Sequence, residues 1–311
     1  MEPLVSVIVV TYNSAEFVLQ TLESVKEQTY RNIELIVTDD CSKDNSVEIC
    51  EKWCRENQSR FKRAMVITTP FNTGIPANLN RAVKAAQGEW IKGIAGDDLF
   101  FPDAIEIFMD AFNADTRSEK SVFHARIAPF NDNLAEEPVF SDAEKIKSER
   151  FNQPGTSASE QFTILLRFCP VSAPAVFIKK TVLEELGYYN EKYKFWEDRP
   201  MWLKMTSNGI KLHYVDAPVV KYRLHTGSVQ NNAGNTLFSR TLLSMMEAYR
   251  EIIIPYLTRQ ERFLYNYLFG VRKLFFILFR NKKNFLTAAS YKLLSMCAEN
   301  RLNKIKSRYS P

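Results

Sequence analysis

The sequence predicts an α/β fold: a doubly wound sheet built by the first part of the chain, followed by a basic helical extension. Three observations lead there. Short runs rich in valine and isoleucine alternate with amphipathic stretches over the first 115 residues, the pattern of parallel strands joined by crossover helices. Three of these runs end in polar clusters, Thr11-Tyr12-Asn13, Asp39-Asp40 and Asp97-Asp98, and open α/β sheets bind ligands outside the carboxyl ends of their strands. From Tyr256 onward the chain carries a net charge of +10, whereas the first 255 residues carry −5.

Each element follows from its residues. Leu4–Thr11 reads as a buried strand, and Ser14 is positioned to cap a helix whose apolar residues Phe17, Val18, Leu22 and Val25 recur at helical spacing. Ile33–Thr38 is a second strand, followed by a helix from Asn45 to Arg55. Ala64–Thr69 is a third strand, and Pro76–Ala86 is a helix that Gly88 would stop. Glu89–Ala95 is a fourth strand, and Pro102 opens the next helix. The middle is less regular. Strands are expected at Ser121–Ile127 and Ala175–Ile178, and helices at Ser159–Phe168, Thr181–Leu186 and Asp198–Ser207. Lys211–Arg223 is one or two strands broken by Pro218, and 131–153 is a polar loop suited to covering a site. The chain is helical from Thr236.

Composition excludes several classes. With 45% hydrophobic and 25% charged residues the chain is ordinary globular material. The five cysteines form no C-x-x-C pair, which argues against a disulfide framework or a zinc site. The start Met1-Glu2-Pro3 lacks the basic residues of a secretory signal, and no apolar run reaches the roughly 20 residues of a membrane span. A cytoplasmic protein is expected. No G-x-G-x-x-G follows the first strand, and neither a P-loop nor a G-x-S-x-G elbow occurs.

The carboxylates carry the chemistry. Adjacent acids such as Asp97 and Asp98 repel unless a cation compensates them. Mg²⁺ or Mn²⁺ binds through one or two carboxylates plus substrate phosphates, which suits a nucleotide diphosphate. The competing reading is a solvated pair ahead of a helix N-terminus. At Asp39-Asp40 a carboxylate could accept from a base or a ribose hydroxyl, and Tyr12 could stack on a flat base. Asp198, in Phe195-Trp196-Glu197-Asp198-Arg199, is either an N-cap or a general base beside an aromatic wall. His225 is a structural histidine, a metal ligand or a phosphate contact.

Five segments in order, Val5–Asn13, Thr38–Ser46, Asn72-Thr73-Gly74, Gly88–Ile91 and Gly96-Asp97-Asp98, resemble family 2 glycosyltransferases. Gly187-Tyr188-Tyr189-Asn190 and Glu197-Asp198 match the acceptor-side half of that family. The resemblance implies a GT-A fold, a Rossmann-like mixed sheet flanked by helices, over residues 1–230. Residues 1–115 would form its nucleotide-binding half and 116–230 its acceptor-side half, with 231–311 a basic helical extension. It implies that Thr11, Tyr12, Asn13, Asp40, Asn72, Gly74 and Asn78 hold the donor nucleotide, usually uridine. Asp97 would meet the donor ribose or sugar. Asp98 and His225 would hold Mn²⁺ or Mg²⁺, and Asp198 would be the catalytic base. Many members carry an arginine shortly before the position of Asn80, where this chain has Asn78-Leu79-Asn80. The Q-x-x-R-W signature of processive synthases is absent, which implies transfer of a single sugar.

The implied activity is inverting, metal-dependent transfer from a nucleotide-sugar, a UDP-sugar first, to a glycan or lipid-linked saccharide in cell-surface polysaccharide synthesis. The alternative is a non-catalytic relative that binds a nucleotide-sugar or glycan; retention of Asp98 and Asp198 favours the enzyme, since binding alone needs no base. Residues 256–311 mix cations with Phe, Leu, Ile and Tyr. They either pack with a solvated charged face or dock on an anionic membrane surface, peripheral at the inner face of the plasma membrane. No nucleic-acid recognition motif accompanies them.

Overall fold

A computed structural model describes residues 2–114, 121–131, 142–225 and 236–309. It divides into two compact units. The first comprises Met1–Phe162 and Pro170–Leu224, and the second Thr163–Cys169 and His225–Pro311.

The first unit is built on one mixed sheet. Strands β1 (Val5–Thr11), β2 (Ile33–Asp39), β3 (Ala64–Ile67) and β4 (Trp90–Ala95) run parallel in the order β3-β2-β1-β4. They alternate with helices α1 (Val18–Lys26), α2 (Ser46–Glu56) and α3 (Ile75–Ala85). Buried on both faces, β1 and β2 read as mainly apolar runs, interrupted by Ser6 and Glu34 before their polar ends, which is why the sequence located them. The two-residue strand β5 (Leu99–Phe100) and helix α4 (Ala104–Asn113) come next. Strand β6 (Val122–Phe130) is followed by helices α5 (Asp142–Phe151) and α6 (Ala158–Leu165), strand β7 (Val176–Lys179), helices α7 (Lys180–Glu185) and α8 (Asp198–Ser207), and strand β8 (His213–Arg223). These strands extend the sheet as β4-β7-β6-β8-β5, with β7 antiparallel to β4 and β6, β8 parallel to β6, and β5 antiparallel to β8. A stack of Trp90 on Phe177 at 4.6 Å and Phe108 on Phe177 at 5.1 Å joins the parallel half to the antiparallel half.

Four expectations need correction. Lys211–Arg223 is a single strand from His213, and Pro218 sits where its register against β6 shifts, a position that tolerates the missing N–H. The polar stretch 131–153 contains α5; residues 132–141 lie outside the described set. Ser14 caps α1 through its carbonyl, which accepts the N–H groups of Phe17 and Val18, and not through its hydroxyl. Gly88 does not stop α3, which ends at Ala85. A Cβ at Gly88 would lie 2.5 Å from Ser6 Oγ, so glycine lets the β4 entry close on β1. There the buried Glu34 carboxylate accepts from Ser6, Gly88 and Arg63.

The second unit is helical. Helix α9 (Arg240–Ala248) runs into one π-helical turn, and α10 (Arg259–Phe279) and α11 (Phe285–Lys306) form a hairpin. Thr258 and Glu261 make a reciprocal capping box at the start of α10. Glu261 also takes a two-pronged ion pair from the buried Arg167, at 2.7 and 3.0 Å. No helix among the described residues is long and apolar enough to cross a membrane.

Candidate active site

The carboxyl ends of β2, β1 and β4 are neighbours, so the sheet gathers the three polar clusters on one edge. Thr11 pairs in register with Asp39. Its hydroxyl donates to Asp39 Oδ2 at 3.0 Å, and the Ser42 N–H donates to Asp39 Oδ1 at 2.8 Å. Asn13 has φ 52°, a left-handed conformation that asparagine tolerates because its short amide bonds locally. Its Oδ1 accepts the Lys43 N–H at 2.7 Å, and its own N–H donates to Ser42 Oγ at 2.7 Å. These bonds lock the turn after β1 onto the loop after β2. Tyr12, at the crest of that turn, is 48% exposed, with ring surface open to a flat base.

Asp40 faces inward. Its carboxylate accepts the N–H groups of Thr73 at 2.9 Å and Gly74 at 2.7 Å, together with the Thr73 hydroxyl at 2.5 Å. Asn78 is buried as well; its Nδ2 donates to the Thr38 carbonyl at 3.0 Å, and its Oδ1 accepts from the Thr38 hydroxyl at 2.5 Å. Both residues therefore shape the Asn72-Thr73-Gly74 loop from within, while Asn72 is exposed. No arginine precedes Asn80, but Arg81 directly follows it. The Arg81 guanidinium donates to Asn78 Oδ1 at 2.7 Å and Thr73 Oγ1 at 3.0 Å, and lies 3.6 Å from Asp40.

The same loop meets the segment leading to α8. Gly74 has φ 93°, and a Cβ there would lie 2.8 Å from Lys194 Cβ and 2.9 Å from Lys194 Cα. The Ile75 N–H donates to the Lys194 carbonyl at 3.0 Å. Asn80 clasps Tyr189 by donating to its carbonyl and accepting its N–H, both at 2.9 Å, and also donates to Glu191 at 2.8 Å. The Glu197-Asp198 pair is thus tethered to the donor-side loop from α3. Burial, and then the neighbouring Asp198 charge, push the Glu197 carboxyl up to about 7. Burial raises Asp198 too, although the Arg199 N–H donates to its Oδ1 at 2.6 Å and opposes the shift. Two acids this close cannot easily both ionise, and the pair is poised to hold a proton near neutral pH.

At the end of β4, Asp98 is 2% exposed. Burial first, then the Asp97 charge, raise its carboxyl to about 8, against the lowering effect of the Arg223 N–H, which donates to Asp98 Oδ1 at 2.9 Å. Arg223 closes β8, and its guanidinium donates to the Asp97 carbonyl at 2.7 Å and to Gln20 at 2.6 Å while resting on Phe17 and Phe130. The Thr21 hydroxyl bonds the Asp98 carbonyl at 2.8 Å. An acid pair held this way is unfavourable to ionise alone, and a divalent cation removes that penalty, so the donor set fits a hard ion completed by substrate oxygens. Among the described residues no three His, Cys, Asp or Glu side chains cluster as a ready-made metal site. His225 opens the second unit, and the Thr226-Gly227-Ser228 part of its motif lies outside the described residues.

Sequence reasoning missed Arg223, Arg81 and Gln20 as shapers of this site. The only signal for Arg223 was a cation two residues before His225, and nothing local marks it as buried. Comparison with known proteins adds three findings. The profile of Glycosyl transferase family 2 matches residues 6–185, more than half of the chain. A curated relative from Escherichia coli, named UDP-Glc:alpha-D-GlcNAc-diphosphoundecaprenol beta-1,3-glucosyltransferase WfaP, is 28% identical over 233 residues, covering 74% of this chain and 80% of its own. Among solved structures, S. aureus TarS in complex with UDP-GlcNAc superposes with a TM-score of 0.59 at 20% identity, over 99% of this chain and 81% of that one. This chain spans 43% of a longer TarS structure. The mannosyltransferase PcManGT from Pyrobaculum calidifontis, with GDP-Man and Mn²⁺, gives 0.56 at 16% identity, covering 100% of this chain and 73% of that one. At these identities the structural likeness concerns the fold, and the fold is GT-A.

Proposed function

The chain belongs to glycosyl transferase family 2 and is a glycosyltransferase, and from that premise we propose that it transfers one sugar from a UDP-linked donor to a saccharide on a lipid carrier, with inversion. The observation that carries the reading is the convergence of three strand ends with the Glu197-Asp198 helix start, tied together through Gly74, Lys194 and Asn80. The E. coli relative's name specifies a UDP-sugar and a diphosphoundecaprenol-linked acceptor, which supports both substrate classes. A lipid-linked acceptor in turn supports work at the inner face of the plasma membrane.

In this reading Tyr12 stacks on the base, and Thr11 and Asn13 line the nucleoside. Asp40 and Asn78 hold the loop that presents Asn72 and Gly74 to the donor. Asp97 contacts the ribose or sugar. Asp98 would hold Mn²⁺ or Mg²⁺, which when bound supplies electrostatic stabilisation of the departing diphosphate. Asp198 accepts the proton of the acceptor hydroxyl as that oxygen bonds to the anomeric carbon. The bond from that carbon to the diphosphate breaks in the same displacement, UDP leaves with the electron pair, and configuration inverts once. A carboxyl pair raised toward neutrality suits this role, because general bases work best with a pKa near the working pH.

The test is calorimetric titration of UDP, then of UDP-, GDP- and dTDP-sugars, with Mn²⁺ and with EDTA. Metal-dependent UDP binding that Asp98→Ala abolishes is the expected result. Absence of nucleotide binding under both conditions would overturn the donor assignment.

A further inference from the structure

The α10–α11 hairpin exposes an apolar face that no described residue of its unit covers. The helices are antiparallel: the Tyr267 hydroxyl donates to the Leu294 carbonyl at 2.9 Å, and Arg272 Nε donates to the Tyr291 hydroxyl at 2.9 Å. One side of the hairpin is packed, with Phe238 and Phe275 on Tyr291 and Tyr249 on Tyr265. The other side is open. On α10, Phe263, Tyr267, Leu274, Ile277 and Leu278 recur at helical spacing as one stripe and are 41–70% exposed. On α11, Leu286 and Leu293 are more than 70% exposed and Leu294 is 45% exposed. The Tyr267–Leu294 bond sets the two stripes side by side.

Charge identifies what this face fits. No Asp or Glu occurs from Arg262 to Ala298, a stretch that holds seven Lys and Arg residues. Arg280, Lys282 and Lys283 are exposed around the turn between the helices, next to Phe285, which is 84% exposed. The turn is held rigidly, because Asn281 exchanges two 2.9 Å hydrogen bonds with the Phe238 backbone. Protein interfaces are depleted in lysine and match cations with acids. An apolar stripe flanked by unneutralised cations instead fits the headgroup layer of an anionic bilayer. Neither helix is long and apolar enough to cross a membrane, so a bilayer would meet the hairpin at its surface.

We propose that α10 and α11 dock on an anionic lipid bilayer, sinking Leu274, Ile277, Leu278, Phe285 and Leu286 into the headgroup boundary while Arg280, Lys282 and Lys283 meet lipid phosphates. This deepens the lipid-linked-acceptor reading and rests on it for its purpose. The test is flotation of the full chain with vesicles of phosphatidylcholine alone, or of phosphatidylcholine with phosphatidylglycerol. Two double variants accompany it, Ile277→Asp with Leu278→Asp, and Lys282→Glu with Lys283→Glu. Each surface cation changes binding by roughly fivefold, and burying an apolar side chain contributes at least as much, so each double variant loses at least about tenfold in vesicle binding while UDP binding stays unchanged. The full chain floats only with the anionic vesicles and is released by salt. Failure to float with anionic vesicles, or equal flotation of all variants, overturns the proposal. So does a change from dimer to monomer in the Ile277→Asp, Leu278→Asp variant, which would assign the face to a second copy. Flotation without UDP binding would instead sink the donor assignment and leave the docking surface standing.

Discussion

Gly74 joins the donor-side loop to the segment carrying the proposed base, and replacing it tests that junction against a glycine with open space around it. Gly74 and Gly155 both sit at positive φ, 93° and 85°. An alanine at Gly155 takes on a positive φ costing about 1–2 kcal/mol, whereas at Gly74 φ 93° comes with ψ 162°, a region held essentially by glycine alone, and costs about 1–3 kcal/mol. They differ in space as well. Nothing lies within 4 Å of a Cβ at Gly155, whereas at Gly74 the new carbon meets Lys194 Cβ and Cα at 2.8 and 2.9 Å. The Cα belongs to the backbone and cannot swing aside, so overpacking adds about 1–3 kcal/mol. Gly155→Ala therefore costs about 1–2 kcal/mol and Gly74→Ala about 2–6 kcal/mol. At 2–4 °C per kcal/mol for a unit of this size, the melting temperature falls by roughly 2–8 °C and 4–24 °C. Differential scanning calorimetry reads the shifts, and steady-state kinetics reads the site. Gly74→Ala lowers kcat/KM at least about tenfold by displacing the Asp198 segment, while Gly155→Ala leaves it unchanged. Equal melting shifts and equal activities in the two variants would refute the claim that this contact positions the base.

The pH dependence follows from the Glu197-Asp198 pair. With Glu197 raised to about 7 and Asp198 raised as well, turnover falls as pH drops below about 7 and the pair takes up a proton, and Glu197→Gln shifts that limb to lower pH by removing the neighbouring charge. Because the folded state holds these protons more tightly than the unfolded chain, the pair's contribution to stability is full below about pH 4 and is lost as pH rises toward 7. Glu197→Gln therefore gains more stability over the parent at pH 8 than at pH 4.5, which urea unfolding at the two pH values measures. Arg223→Met keeps the bulk between Phe17 and Phe130 but leaves the Asp97 carbonyl and Gln20 without their donor. It costs about 2–4 kcal/mol in unfolding and weakens metal-dependent nucleotide binding in calorimetry by at least about tenfold; full binding would show that Arg223 does not organise the Asp97-Asp98 turn.

Much of the parallel half was legible in the sequence, because strands buried on both faces are mostly apolar, their few polar side chains such as Ser6 and Glu34 pairing with each other, and end where polar residues begin. The Thr11, Asp39 and Asp97 clusters stood out for that reason. What was not legible depends on partners far along the chain. Helix α5 hides in a polar stretch and is steadied by Lys145, whose ammonium lies 2.7 Å from Asp216. Two-residue β5 exists only because Leu99 and Phe100 pair with β8. Asp40 and Asn78 read as donor contacts, and the bonds of their oxygens to Thr73, Gly74 and Thr38 were not legible. Arg223 is set by residues from α1, the turn after β4, and β6 that no local pattern links. The Thr258-Arg259-Gln260-Glu261 capping box, by contrast, is a local four-residue signature, passed over within a stretch read only as helical from Thr236, and α10 begins at it.

The central claim is that Asp198 acts as the base in sugar transfer, and one paired measurement tests it most directly. Asp198→Asn is compared with the parent protein for UDP-sugar binding by calorimetry and for single-turnover transfer, in the presence of Mn²⁺. Loss of about 10²–10⁴ in turnover, with donor affinity kept within about threefold, is the predicted result. Undiminished turnover in Asp198→Asn would contradict the account.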